Sequence, residues 1–333
     1  MPVILAIESS CDETSASVCI DGRILSNVIA NQTIHEAYGG VVPELASRVH
    51  QQNIVPAVQQ ALSNAKVNKN DIDAVAFTRG PGLLGSLIVG VSFAKAFALA
   101  QNLPLIDINH MQAHILAHFI ADKKPSFPFL CLTVSGGHTQ IVLVKDYFDM
   151  EVIGHTLDDA AGEAMDKTSK ILGLPYPGGP LIDKYARSGN PDAYKFPEPQ
   201  IPGFNFSFSG VKTAILYFIR DNVAANPNFI QENLPDICAS VEKRISTILL
   251  NKLQAAAEMY GIKDIALAGG VSANTGLREG LTQMGAKKGW NVFIPKFEYC
   301  TDNAAMIAIA GYYKFLQGEF VGQQVAPLAR MPM

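Results

Sequence analysis

The sequence predicts a mixed α/β protein of two similar lobes, and three observations carry that prediction. Val3 to Ile7, Ser15 to Ile20 and Ile24 to Ile29 are short β-branched runs joined by tight turns, which reads as an antiparallel meander. After Pro125 and Pro128 the chain repeats this opening with Phe129 to Val134, Gln140 to Val144 and Glu151 to His155. Behind each meander, helical and strand patterns alternate, as they do in layered α/β domains.

Composition agrees with a large buried core. The 333 residues are 48% apolar and 17% charged, enough for about two domains. No stretch approaches the roughly 18 uninterrupted apolar residues of a membrane span, and Met1 to Ile7 runs directly into a strand. A cytoplasmic chain with no membrane contact is therefore expected. The five cysteines, Cys11, Cys19, Cys131, Cys238 and Cys300, are odd in number and widely spaced, so reduced and mostly buried thiols are expected. A net charge of −4 supplies no whole-molecule field for nucleic acid, which would need a local basic patch or a partner subunit.

In the first lobe, a helix from Glu44 to Lys66, perturbed at Pro56, precedes the strand Ala74 to Thr78. The turn Arg79-Gly-Pro-Gly-Leu-Leu-Gly-Ser86 opens the apolar helix Leu87 to Ala100, and strand Leu105 to Ile108 follows. In the second lobe the pattern gives helices at Ala160 to Leu172, Pro180 to Ser188, Val211 to Asn222 and Asp236 to Tyr260. Strand Asp264 to Ala268, a helix to about Met284, strand Val292 to Ile294 and a last helix, Asn303 to Leu316, complete it. The loop from Asn190 to Gly210, rich in Pro, Phe, Ser and Gly, is long enough to be functional. Two such lobes around a central cleft are the arrangement of the actin, Hsp70 and sugar-kinase (ASKHA) architecture, with duplicated ribonuclease-H-like lobes. The expected boundaries are 1–125 for the first lobe, 126–302 for the second, and 303–333 for a helix and tail returning to the first.

The stretch Asn109-His-Met-Gln-Ala-His-Ile-Leu-Ala-His118 carries the most chemistry. His110 and His114 stand one turn apart on a helix that follows a strand, a spacing at which two imidazoles share a metal ion. At the helix N-terminus the macrodipole favours a neutral His110. His118 lies two turns on, about 12 Å along the axis, and reads as structural. No glutamate follows His110, so the general base of a His-Glu-x-x-His metalloprotease is missing. Asp302, ahead of the last helix, is either a helix N-cap or a third ligand.

Two glycine turns suggest anion and nucleoside binding. In Val134-Ser-Gly-Gly-His138 the paired glycines let backbone N–H groups approach an anion, with Ser135 and His138 as further donors; the alternative is an ordinary hairpin turn. Ala268-Gly-Gly-Val-Ser-Ala-Asn274 joins a strand end to an Asn N-cap, which suits a nucleoside or a common α/β turn. Asp166 reads as a charge on an amphipathic helix, Asp183 as an acid of a helix's first turn, and the Phe-Ser alternation of Asn205 to Lys212 as a buried pair more readily than a base-stacking loop.

Eight stretches together resemble the bacterial tRNA threonylcarbamoyladenosine transferase family, once labelled O-sialoglycoprotein endopeptidase. They are Ile7-Glu-Ser-Ser-Cys-Asp-Glu-Thr14, Tyr38-Gly-Gly-Val-Val-Pro-Glu-Leu-Ala-Ser47, His110-Met-Gln-Ala-His114 and Val134-Ser-Gly-Gly-His-Thr139, then Tyr176-Pro-Gly-Gly-Pro180, Phe206-Ser-Phe-Ser-Gly210, Ala268-Gly-Gly-Val-Ser-Ala-Asn274 and Cys300-Thr-Asp-Asn303. The resemblance implies an actin-like fold and one divalent ion, iron(II) more than zinc, held by His110, His114 and Asp302. It also implies a pocket for threonylcarbamoyl-adenylate at Val134, Ser135, Gly136, Gly137, His138, Asp166, Gly179, Asp183 and Asn274, with Asp12 and Glu13 matching acidic positions assigned to catalysis. The implied reaction moves the threonylcarbamoyl group to N6 of the adenosine just 3′ of the anticodon in tRNAs reading codons that begin with A, releasing AMP. A catalytically inactive paralogue and a small P-loop ATPase are the implied partners. Met-Gln-Ala stands between the histidines where the family more often has Met-Glu-Gly. The competing readings are a kinase or ATPase of the same architecture, a nucleotide-dependent scaffold for a tRNA-modifying enzyme, and, weakest, a metalloprotease.

Overall fold

Small and β-branched residues build the first sheet. In the computed structural model, which describes every residue from Met1 to Met333, β1 (Val3–Glu8), β2 (Thr14–Ile20) and β3 (Arg23–Ala30) form the antiparallel meander. Asp21 and Gly22 turn β2 into β3 with positive φ angles of 51° and 77°, as a two-residue hairpin requires. After α1 (Pro43–Ala65), the strands β4 (Ala74–Gly80) and β5 (Leu105–Asn109) add in parallel beside β1, with α2 (Leu84–Gln101) between them. The sheet order is β3-β2-β1-β4-β5. By length and composition α2 is apolar enough to cross a membrane; in this fold it packs on α1 and β4. α3 (His110–Leu116) leaves the end of β5 directly, and residues 117–120 tighten into a 3₁₀ turn where the sequence suggests continued α-helix to His118.

The second sheet repeats the first. β6 (Phe129–Val134), β7 (Thr139–Val144) and β8 (Met150–His155) form an antiparallel meander, and β9 (Asp264–Ala268) and β10 (Asn291–Phe293) add in parallel beside β6. Read from β8, the order β8-β7-β6-β9-β10 matches that of the first sheet read from β3. Even the register irregularity recurs in the outer pair, between Val18 and Cys19 and between Ile141 and Val142. Such duplicated ribonuclease-H-like sheets define the actin, Hsp70 and sugar-kinase architecture. The helices of this unit are α4 (Ala161–Ile171), α5 (Gly178–Ala186), α6 (Ser209–Ala225), α7 (Phe229–Tyr260) and α8 (Thr275–Lys288).

Two compact units result, one of Met1–Lys124 with Pro295–Met333, the other Pro125–Ile294. The second unit thus ends at Ile294 and not at residue 302, because β10 is its last strand and α9 (Ala304–Gln317) packs on β1, β2 and α3 of the first. Helix α7 starts at Phe229, ahead of the expected Asp236, with Pro235 inside it. A proline there removes one helical hydrogen bond near the start, a loss the buried face of the helix outweighs. In the 190–210 loop, Phe206 and Phe208 are fully buried with ring centroids 6.2 Å apart, so their aromatic faces serve the core and not a nucleobase. None of the five cysteines forms a disulfide, and burial pushes the thiols of Cys19, Cys131 and Cys238 up to about 12, which leaves them unreactive near neutral pH.

Candidate metal centre and nucleotide-binding turns

The geometry of α3 begins with its cap. Asn109 ends β5, and its side-chain oxygen accepts from the N–H groups of Met111 at 2.9 Å and Gln112 at 3.3 Å, while its amide donates to the Pro332 carbonyl at 2.8 Å. This fixes His110 as the first helical residue and stacks His114 one turn on, their rings edge to face with centroids 4.7 Å apart. Asn303, not Asp302, caps α9, accepting from the Met306 N–H at 3.1 Å. Asp302 is thereby free of the capping role the sequence allowed it. Its Oδ1 lies 3.1 Å from His114 Nε2 and 3.4 Å from His110 Nε2, and one donor atom from each of the three residues falls within 4.8 Å of the others.

Burial alone would keep His110 neutral, as the helix dipole would, but the carboxylates of Asp302 and Glu8 outweigh it and raise its pKa well above that of an ordinary histidine. The expectation of a neutral His110 in the ion-free chain is corrected on that ground. Reciprocally, although burial opposes the charge on Asp302, His110 and His114 hold its carboxyl well below the usual range. Two buried imidazoles and one ionised carboxylate are a donor set that suits iron(II) or zinc and leaves coordination positions open.

The first-lobe acids gather around the same place. Burial, then Asp302, then Asp12 raise the pKa of Glu13 well above the ordinary carboxylate value. Asp12 stands beside it. Sequence reasoning missed Glu8, which is fully buried at the end of β1 and lies 3.1 Å from His110 Nδ1. A carboxylate closing an otherwise apolar strand was the available signal.

In the second unit, Val134 is buried at the end of β6, and the turn after it closes on itself. The Ser135 N–H donates to the His138 carbonyl at 2.8 Å, and the His138 N–H donates to Ser135 Oγ at 3.0 Å. Gly136 and Gly137 are exposed, with open space where a Cβ would stand. Asp166, on α4, accepts from the N–H groups of Gly178 and Gly179, both at 2.9 Å, and so ties α4 to the start of α5. Burial raises its pKa, and these two N–H groups offset part of the rise.

Asp183 and Asn274 meet elsewhere in this unit. Asp183 lies within α5, beyond the first turn, and accepts from the Thr275 N–H at 2.9 Å, from Thr275 Oγ1 at 3.1 Å and from Arg187 at 2.9 Å. Asn274 caps α8 through the Leu277 N–H at 2.8 Å and donates to Glu242. Glu242, on α7, escaped sequence reasoning; its position on a mostly buried helix was the only hint. Burial, partly offset by Asn274 and reinforced by Asp183, pushes its carboxyl up to about 7. Asp183 and Asn274 are thus bridged by Glu242, and Asp166 is joined to Gly179. The metal candidates, with Asp12 and Glu13, lie in the first unit and the nucleotide candidates in the second.

Comparison with known proteins agrees with the duplicated fold. The chain is similar to the (R)-2-hydroxyglutaryl-CoA dehydratase component A of Acidaminococcus fermentans, with a TM-score of 0.54 at 15% identity over 94% of this chain and 99% of that one. It is also similar to HypF of T. kodakarensis, with a TM-score of 0.61 at 14% identity over 95% of this chain and 48% of that one. At such identities the likeness concerns the fold. Sequence relatives are far nearer. The tRNA N6-adenosine threonylcarbamoyltransferase of Cytophaga hutchinsonii is 61% identical over 98% of this chain and 96% of its own length. That of Christiangramia forsetii is 62% identical over 98% and 97%. The family model described as tRNA N6-adenosine threonylcarbamoyltransferase matches residues 23–309. With full-length relatives at this identity and the duplicated sheets beneath them, the chain belongs to the tRNA N6-adenosine threonylcarbamoyltransferase family.

Proposed function

We propose that this enzyme transfers the threonylcarbamoyl group of threonylcarbamoyl-AMP to N6 of the adenosine 3′-adjacent to the anticodon in tRNAs reading codons that begin with A, with one divalent ion held by His110, His114 and Asp302. The observation that carries the reading is the convergence of those three donors within 4.8 Å in a chain of this family. Iron(II) is favoured over zinc, since two His and one carboxylate with open positions form the facial set typical of non-haem iron(II). Such an ion supplies Lewis acidity toward the threonylcarbamoyl oxygens.

The chain's own residues supply the rest. The N–H groups of Gly136 and Gly137, with Ser135 and His138, take the adenylate phosphate, and Val134 supports that turn from the core. Asp183, Asn274, Asp166 and Gly179 take the nucleoside side, held in place by the bonds described above. In the reaction the N6–carbonyl carbon bond forms, the carbonyl carbon–phosphate oxygen bond breaks, and AMP leaves with the bonding electrons. The proton shed by N6 passes to the Asp12 carboxylate, with Glu13 beside it. An adenine amine is a weak nucleophile, so orientation and charge stabilisation carry the rate. A −4 chain needs help with tRNA, and an inactive paralogue and a small P-loop ATPase fit that need in the cytoplasm.

The test mixes purified protein, threonylcarbamoyl-AMP and unmodified tRNA, with each candidate partner added in turn. Modified tRNA and stoichiometric AMP are expected. ATP turnover indifferent to tRNA, with no modified adenosine in any mixture, contradicts the reading and favours an ATPase.

A further inference from the structure

We propose that Glu8 is a positioning residue that sets which nitrogen His110 offers to the ion, an inference that rests on the metal reading above. Glu8 is fully buried, and both its oxygens are committed: Oε1 accepts from the Ser10 N–H, and Oε2 accepts from the Thr78 hydroxyl and faces His110 Nδ1 at 3.1 Å. Ser10 Oγ lies 3.1 Å from the same nitrogen. A carboxylate accepts and has nothing to donate, so Nδ1 is the nitrogen that carries the hydrogen in an ion-bound ring and Nε2, on the side of Asp302, is the one left to offer its lone pair. Carboxylate–histidine–metal relays of this kind fix ring orientation and raise ligand basicity. The second histidine has no such support. His114 Nδ1 is buried without a hydrogen-bond partner, so the built relay belongs to His110 alone.

The chemistry of a Glu8→Gln change makes the inference sharp. The Ser10 N–H still requires an acceptor, so the Gln oxygen turns toward it and the Gln amide turns toward His110. That amide donates to Nδ1 and favours the opposite tautomer, with hydrogen on the nitrogen the ion needs. The side-chain shape is unchanged; only the hydrogen's position is reversed.

The experiment titrates metal-free protein with cobalt(II) against a competing chelator and follows the visible ligand-field bands. Glu8→Gln is expected to weaken cobalt binding on the order of 10–100-fold, with an altered band pattern and an apo melting temperature close to wild type. Thr78→Val, which removes only the hydroxyl holding Glu8, is expected to weaken it less, and Ser9→Ala, on the same turn but bonded to the Ser86 carbonyl, not at all. Should Glu8→Gln fail to fold, Thr78→Val decides. Wild-type affinity in the folded Glu8 variant, or in Thr78→Val where that variant decides, overturns the inference and leaves the metal centre standing. A wild-type chain that binds no cobalt, or binds it equally after His114→Ala, overturns the metal reading and this inference with it.

Discussion

Replacing His114 with alanine is expected to lower threonylcarbamoyl transfer by about 10³-fold while the chain stays folded. The loss follows from the donor set: without His114 Nε2, only His110 and Asp302 remain, and Lewis-acid stabilisation of several kcal/mol is forfeited at 1.36 kcal/mol per factor of ten. Folding should tolerate the change. The deletion opens a buried cavity, but it also removes the unpartnered Nδ1, whose burial costs about 1–3 kcal/mol, so the two effects oppose each other. Single-turnover transfer to unmodified tRNA, with far-UV circular dichroism on the same samples, measures both. Transfer within tenfold of wild type contradicts a role for this histidine in holding the ion.

Gly269→Ala is expected to destabilise the second unit strongly. Gly269 has φ of 84°, and a Cβ there would stand 2.5 Å from the Val134 carbonyl oxygen at the end of β6. With ψ of 168° this is the extended region at positive φ that essentially glycine alone occupies, and another residue there costs roughly 1–3 kcal/mol. The collision adds to it, because β6 must move and carries the Ser135–His138 turn with it. A total of about 3 kcal/mol or more, or a fall of roughly 5–10 °C in the melting temperature, is expected. Gly261→Ala gives a collision-free comparison, since Gly261 lies in the left-handed helical region at φ 66° and ψ 23° with open space around it. It should cost only about 1 kcal/mol. Equal effects from the two substitutions would show that contact with β6 does not matter.

These outcomes mark where local sequence pattern suffices. The strands were legible because β-branched runs punctuated by Asp21-Gly22 and by Gly136-Gly137 leave little choice of conformation, and the duplicated meander exposed the fold class. The histidine pair was legible because i, i+4 spacing is a property of one helix. Asp302 was not: beside a helix start, an Asp cap and an Asp ligand look alike, and only the structure gives the cap to Asn303. Glu8 and Glu242 escaped for a related reason. Glu8 meets His110 across 102 residues and Glu242 meets Asn274 across 32, and neither contact leaves a local pattern. The charge state of His110 failed in the same way. The helix dipole is local and argued for a neutral ring, whereas the deciding carboxylates come from β1 and from the turn before α9. Pro235 misled in the opposite direction, since a local breaker yields to burial along α7.

The most direct test is elemental. Protein purified without added chelator, then stripped and reloaded anaerobically with iron(II) or zinc, is assayed for metal per chain by plasma mass spectrometry. One tightly held equivalent is expected in the wild type and none in the His110→Ala, His114→Ala, Asp302→Ala triple variant. An undiminished equivalent in the triple variant, or a wild type that retains none under any loading condition, contradicts the His110–His114–Asp302 centre.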